Sequence, residues 1–499
     1  MELQFEKTGL DCMTTLMAMT RGEEQTQEVR LPDNMSDVGR VLGTWGQVLL
    51  RGKEWRSAGM GVSLGVMAWV LYAPEEGGAP QVVETWIPFQ LKWEFPETKR
   101  DGRILASCLL SGIDARSISA RKLVVRASVS VMGEALEPDS ADMWVPGTVP
   151  EDVHLLKRNY PVLLPREAGE KQFELEEELT LPGSAGTLSR IVCCSLWPEV
   201  IDQKVMAGKV VFRGTGQFHL LFLDPDGNLK TWDQELSFSQ FADLEQDYDS
   251  EAQARVIPAV TGLEADILEP DRLGLKIGMV GQYVVSDRQM LELVEDAYST
   301  RRTVTPQVRE LQLPAVLDDR FQTLRLTQEP EIPAERILDT CLLLSQPRIR
   351  REEDTMLLEQ SGSFQVLYSD ENGELKGKTV PAEATASLPA DSSSRIMVTA
   401  VPTGTAQGSV AGDRMNLRGE ALVRTVTTGD QGIPMVTGLE LGEMTQPDPG
   451  RPSMILRRMG SQRLWDVAKA SGSTVEDICR ANNLQGEPDP DRMLLIPVP

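Results

Sequence analysis

The chain has 499 residues, an apolar share of 41%, and 50 basic against 75 acidic residues, for a net charge of −25. At roughly 100–200 residues per domain, the length predicts three or four domains. So acidic a chain excludes nucleic-acid binding, or attachment to anionic lipid, through a general basic surface.

Residues 1–20 lack the basic start and unbroken apolar run of a secretory signal, because Glu2, Glu6 and Asp11 interrupt them. The longest apolar stretch, Gly59–Ala73, is too short and too Gly-rich to span a bilayer as a helix. The expectation is a soluble protein kept in the cytosol. Six scattered cysteines, none in a C-x-x-C pair, read as reduced thiols. With only His154 and His219 available, a Cys/His zinc site is not expected.

The long acidic region repeats itself. A hairpin pattern occurs as MAWVLYAPEEGGAPQ, FHLLFLDPDGNLKT and FQVLYSDENGELKG. Its aromatic landmarks Tyr72, Phe222 and Tyr368 are spaced by 150 and 146 residues. Apolar residues alternate around each landmark. Val210, Phe212, Phe218, Leu220 and Phe222 share one face in the second copy, and Met356, Leu358, Phe364, Val366 and Tyr368 in the third. A period of two predicts half-buried strands. The acidic, Gly-containing loops suit tight turns, where Gly, Asn and Asp tolerate positive φ. Asp224–Asn228 also invites a calcium reading, but its Gly stands fourth rather than sixth as in an EF-hand loop.

A second landmark follows in each copy: Leu123, Leu273 and Met415, spaced by 150 and 142 residues. Leu123, Val125, Ala127, Val129 and Val131 alternate again. Leu31–Pro32, Leu181–Pro182 and Ile332–Pro333 mark a strand opening each copy, and Pro150–Asn159 predicts a short helical turn between copies. The expected fold class is therefore mainly β. It comprises three tandem β-sandwich or barrel-like repeats over 1–148, 149–303 and 304–445, a Pro/Gly-rich linker at 446–452, and a small α+β module at 453–499.

From Ser453 onward there are six basic residues (Arg457, Arg458, Arg463, Lys469, Arg480, Arg492) and six acidic ones (Asp466, Glu476, Asp477, Glu487, Asp489, Asp491). The module is thus neutral, and the whole −25 lies before it. It reads strand, helix, helix, strand (βααβ). Leu464, Trp465, Val467 and Ala468 make a helical face, Thr474 caps a second helix, Asn482–Asn483 ends it, and Met493–Ile496 closes the module.

On Gly460, Leu464, Trp465, Ala468, Thr474, Val475, Ile478, Asn482, Asn483, Leu484, Leu494, Ile496 and Pro497 the module resembles a LysM domain. The resemblance implies a shallow groove for N-acetylated sugars between Gly460–Leu464 and Asn483–Arg492. Its candidate ligand or partner residues are Gly460, Ser461, Gln462, Arg463, Leu464, Asn483, Leu484 and Gln485. The chain departs from the family's usual G-D-T-L with G-S-Q-R-L, and its second loop, Gln485–Arg492, is rich in Pro and Asp. Arg457, Arg458 and Arg463 offer an alternative, a basic edge for an acidic protein.

Three strand-rich repeats followed by one such module resemble the SPOCS-domain spore coat morphogenetic proteins of endospore-forming Firmicutes, the SipL/SpoVID-like group. That resemblance implies a scaffold made in the mother-cell cytoplasm and gathered at the outer forespore surface. Its implied partners are a coat basement-layer ATPase of the SpoIVA type, other coat proteins, and peptidoglycan or its lipid-linked precursor. No cofactor or metal is implied. No G-x-S-x-G, P-loop or G-x-G-x-x-G motif stands in a strand-to-helix context, and His219 sits where the other copies have Trp69 and Gln365. The expectation is a non-catalytic protein. The alternative is a glycan-binding protein of the cell or spore wall.

Overall fold

The computed structural model describes residues 2–98, 100–352, 355–388, 395–445, 450 and 452–498. It is mainly β, with several antiparallel sheets and a short C-terminal βααβ element. After β1 (Glu2–Gln4) come β2 (Glu6–Arg30), β3 (Val38–Arg56), β4 (Gly59–Pro74), β5 (Gln81–Glu94), β6 (Arg103–Ser119) and β7 (Lys122–Val145). They form two sheets, ordered β3-β4-β5 and β2-β7-β6. The next six strands are β8 (Val153–Thr180), β9 (Arg190–Met206), β10 (Lys209–Leu223), β11 (Leu229–Asp243), β12 (Gln253–Glu269) and β13 (Arg272–Ser299). Their sheets repeat both orders, as β9-β10-β11 and β8-β13-β12.

The third set is β14 (Val304–Gln328), β15 (Arg336–Leu344), β16 (Arg348–Glu352), β17 (Thr355–Ser369), β18 (Leu375–Leu388), β19 (Arg395–Pro402), β20 (Gln407–Ala411) and β21 (Arg414–Leu441). Here β15, β16 and β18 pair β17, while β14, β19 and β20 pair β21. The same order therefore recurs with two strands split. We call the three sets units one, two and three.

Alternation explains the strands. Val210, Phe212, Phe218, Leu220 and Phe222 are buried in one core, as are Leu123, Val125, Ala127, Val129 and Val131. The three acidic loops are hairpins, joining β4 to β5, β10 to β11 and β17 to β18. The Asp224 carboxylate accepts the Asp226 and Asn228 amides at 3.0 and 2.9 Å, and Gly227 takes the positive φ that closes the turn. Asp370 does the same for Asn372 and Glu374. With Lys230 also 3.3 Å from Asp224, the second loop uses its carboxylate internally rather than as a calcium cage.

Two local expectations need correction. Pro150–Asn159 is not a helical turn. The chain turns at 151–152, and Val153 onward is strand β8, because its backbone pairs with β13. The Leu-Pro and Ile-Pro pairs do not open strands either. They follow β2, β8 and β14, where proline's missing N–H ends the ladder and Leu31 turns inward. Most of the expected linker, residues 446–449 and 451, lies outside the described residues.

The first and last strand of each unit are very long. β8 and β13 have 28 residues each, about 90 Å at 3.3 Å per residue. Their pairing continues to Ser299, well past the end of the β12 ladder at Ser286. A two-stranded ribbon is only marginally stable alone. The three ribbons solve this by packing on each other. Leu10, Val162, Leu164, Leu293, Leu313 and Ile433 form one shared core, and Phe5, Val153, Ala297 and Leu439 belong to another below it. β1 adds a short edge strand to β21 there.

The units also close into a ring. Gln47 of unit one accepts the Leu196 amide of unit two at 2.9 Å. The buried Gln282 amide bonds both the N–H and C=O of Ala106, each at 2.9 Å. Gln346 and Gln365 of unit three donate to the Ser107 and Ile113 carbonyls of unit one. Thr405 of unit three donates to Asp233 of unit two at 3.3 Å. Each unit thus touches both others, a closed arrangement within one chain.

Candidate docking site on the C-terminal module

The module consists of β22 (Met454–Arg458), α1 (Leu464–Ser471), α2 (Val475–Asn482) and β23 (Met493–Pro497). Its core is Met459, Leu464, Val467, Ala468, Ile478, Leu494 and Ile496. Thr474 Oγ1 accepts the Asp477 amide at 2.9 Å, capping α2. Asn483, at φ 49°, ends that helix in the left-handed region. The Asn482 side chain bonds both N–H and C=O of Leu495 at 2.8 and 2.6 Å, tying α2 to the closing strand.

One face of α1 is seated on the ribbon of unit two. The Trp465 ring meets Tyr298 edge-on at 4.7 Å, and its Nε1 donates to Asp296 Oδ2 at 2.8 Å. Lys469 Nζ donates to both Asp296 oxygens at 2.8 Å. Tyr298 donates its hydroxyl to the Ser473 carbonyl at 2.9 Å. Burial pushes that phenol up to about 12, so it stays a donor. Asp296 and Tyr298 are two residues apart on β13 and therefore present one face. Sequence reading missed them. Trp465 on an eight-residue helix was the available signal, since a module this small has room for few large rings.

The structure brings the candidate residues to one end of the module. Ser461, Gln462, Arg463, Asn483 and Gln485 are exposed, Gly460 and Leu484 are half-buried, and Leu464 is in the core. The two loops are fastened together. The Gly460 amide donates to the Pro490 carbonyl at 2.8 Å, and the Leu464 amide donates to the Glu487 carboxylate at 3.1 and 3.0 Å. Glu487 therefore holds a backbone donor that an acetamido oxygen would otherwise use. The basic edge is internally neutralised. Arg457 donates to Gln462 at 2.6 Å, Arg458 pairs with Asp491, and Arg463 lies 3.2 Å from Asp466 and 3.7 Å from Glu295. Exposed pairs of this kind contribute little stability, and a partner's carboxylates can exchange for them.

A second constellation lies where the units meet. His219 Nδ1 is 2.7 Å from Asp233 Oδ1, and Nε2 is 3.1 Å from Asp339 Oδ1, misaligned for a good hydrogen bond but close enough for an ion pair. Trp45 Nε1 donates to Asp339 Oδ2 at 2.7 Å. Burial alone would lower the imidazole, but Asp339 and Asp233 outweigh it and hold it at about 10. Burial would raise Asp339, yet His219 and Trp45 hold it below the usual carboxylate value. One residue from each unit thus joins a charged, interior network with no opening to a substrate in its description. His154 lies far down the chain beside the Tyr298 ring, 5.3 Å away. All six cysteines are free thiols, and burial pushes Cys108 and Cys194 up to about 12. The G-V-S-L-G run at 61–65 is mid-strand in β4, without the sharp turn that exposes a nucleophile.

No protein-family model matches the chain, and no curated protein sequence matches it.

Proposed function

We propose that this chain is a non-catalytic scaffold or adaptor in endospore coat and cortex assembly. On this reading three sandwich-like repeats form the body, and a LysM-like module docks it to a coat basement-layer ATPase or a peptidoglycan-related ligand at the outer forespore surface. The observation that carries the reading is how the module is mounted. Its Trp465 face is anchored on Asp296 and Tyr298, while the loop end bearing Ser461, Gln462, Arg463 and Gln485 stays exposed. Such a mounting suits presentation of a small docking surface by a stiff body, where several weak contacts add through effective concentration. The Glu487–Leu464 contact favours a protein partner over sugar within this reading, because a groove of backbone donors works only while those donors are open.

The test is localisation in sporulating cells. A fluorescent fusion should ring the forespore, and removal of residues 453–499 should disperse it. A diffuse signal in both would overturn the scaffold reading. Cosedimentation of the full chain with insoluble peptidoglycan, without capture of a coat protein, would favour the wall-binding alternative.

A further inference from the structure

The three seams between units are built from equivalent positions but are closed differently. Trp69, His219 and Gln365 occupy the same place on the third strand of their units, opposite Glu84, Asp233 and Thr379 respectively. At the seam of units three and one, Gln365 Nε2 donates to the Ile113 carbonyl at 2.7 Å, Asp114 is taken by Arg126 at 2.9 Å, and Arg40 pairs with Glu374. At the seam of two and three, His219 neutralises Asp233 and reaches Asp339.

The seam of units one and two has no such closure. Trp69 stands where the other units have a bridging polar side chain, and indole cannot reach across as Gln365 does. Arg190, the counterpart of Arg40, bonds only the Val82 carbonyl, at 3.1 Å. A cleft of about 780 Å³ remains, against about 190 Å³ at the equivalent place between units three and one. Its floor is apolar, with Met67, Trp69 and Ile191. Its walls are two strand edges, Gln81–Glu84 of β5 and Leu263–Asp266 of β12. Among the described strands β5 pairs only with β4, and β12 only with β13, so both edges have backbone groups free to pair. Three exposed carboxylates line the walls. Glu84, Glu264 and Asp266 form no ion pair with a described residue, and Lys276, opposite Glu264, turns to Glu174 and Glu176 instead.

We infer that this cleft receives an extended basic peptide segment of a partner protein. The segment adds a strand along the free edges, places apolar side chains on Trp69 and Met67, and directs lysine or arginine to Glu84, Glu264 and Asp266. The ligand's cation does at Glu84 what His219 does at the matching Asp233. The net charge of −25 favours the same sign of partner. The inference does not depend on the spore reading.

The test uses the full chain and a fluorescein-labelled ten-residue peptide of alternating lysine and valine, followed by anisotropy. Saturable binding is expected, with protection of amides 81–84 and 263–266 from hydrogen exchange. The glutamate–valine counterpart should not bind. The double variant Glu84→Gln/Glu264→Gln should weaken binding about tenfold, the scale of one lost charged contact. Glu94→Gln/Glu177→Gln, which removes the same charge elsewhere, should change it less than about twofold. Absence of saturable binding, equal loss in both double variants, or protection outside the two edges would each overturn the inference.

Discussion

His219 and Asp339 face each other across the seam between units two and three, 3.1 Å apart and both buried. The pair is a commitment by two units to one another, because neither charge has water to fall back on. Replacing His219 with Ala leaves Asp339 inside without its cation. Breaking a buried pair in this way costs about 3–5 kcal/mol. The double variant His219→Gln/Asp339→Asn should recover much of that loss. It removes both charges together, and Gln365 already serves as a neutral bridge at the equivalent position. Urea midpoints of the two variants check this. A single variant as stable as the double would show that the pair does not hold the seam.

The same pair sets a pH window. His219 is raised from 6.5 to about 10 in the folded chain, so its contribution is complete below pH 6.5 and is lost as pH rises through about 10. Asp339 is lowered from 3.8, so its contribution is present above that value and is lost as acid protonates it. The stability difference between wild type and His219→Gln/Asp339→Asn should therefore favour wild type most between about pH 4 and 6.5. It should shrink toward pH 10 and again in acid. Denaturation at stepped pH reads this directly, and a difference that does not move with pH would dismiss the charged pair.

Much of the body was legible because strand burial writes itself as alternation. The faces around Phe222 and Leu123, and the three hairpin loops, follow from period two and from Asp and Gly in the turns. The ribbons were not legible. Val153–Arg158 carries too little alternation to separate strand from helix, and its state is decided by a partner strand about 140 residues away. The seams were hidden for a related reason. Trp69, His219 and Gln365 could be aligned by spacing, but their partners Glu84, Asp339 and Ile113 depend on how the units meet. In the module, Thr474 and Asn483 carry their cap chemistry locally and could be read. Asp296 and Tyr298, far away in sequence, could not.

Gly377 tests the seam of units three and one by sterics alone. A Cβ there would drive into the Leu42 carbonyl oxygen of the facing strand. Backbone cannot yield as a side-chain tip does, so Gly377→Ala should destabilise by about 1–3 kcal/mol. Gly52→Ala is the comparison, since nothing lies within 4 Å of its added methyl. It should be neutral or stabilising by up to about 1 kcal/mol through the unfolded chain. Thermal melting of the pair separates close approach from a general cost of replacing glycine in a strand. Equal shifts would place the backbones of the two units farther apart than described.

The module's mounting can be separated from its folding. Asp296→Ala removes the acceptor of both Trp465 and Lys469 while touching nothing in the module's own core. It should weaken docking by about 1–3 kcal/mol, the cost of leaving buried donors unmet. Tyr298→Phe, losing only the bond to Ser473, should cost about 1 kcal/mol. Thr474→Ala acts on the other side of the balance. It uncaps α2 and should cost the module about 1 kcal/mol of its own stability without disturbing Asp296. Hydrogen exchange distinguishes the three. Asp296→Ala should speed exchange at the tip of β13 and at the first turn of α1 while the β22–β23 ladder stays protected. Thr474→Ala should loosen α2 and leave the β13 tip unchanged. If Asp296→Ala instead unprotected the whole module, its fold would depend on the ribbon, and the module would be a part of the body rather than a unit mounted on it.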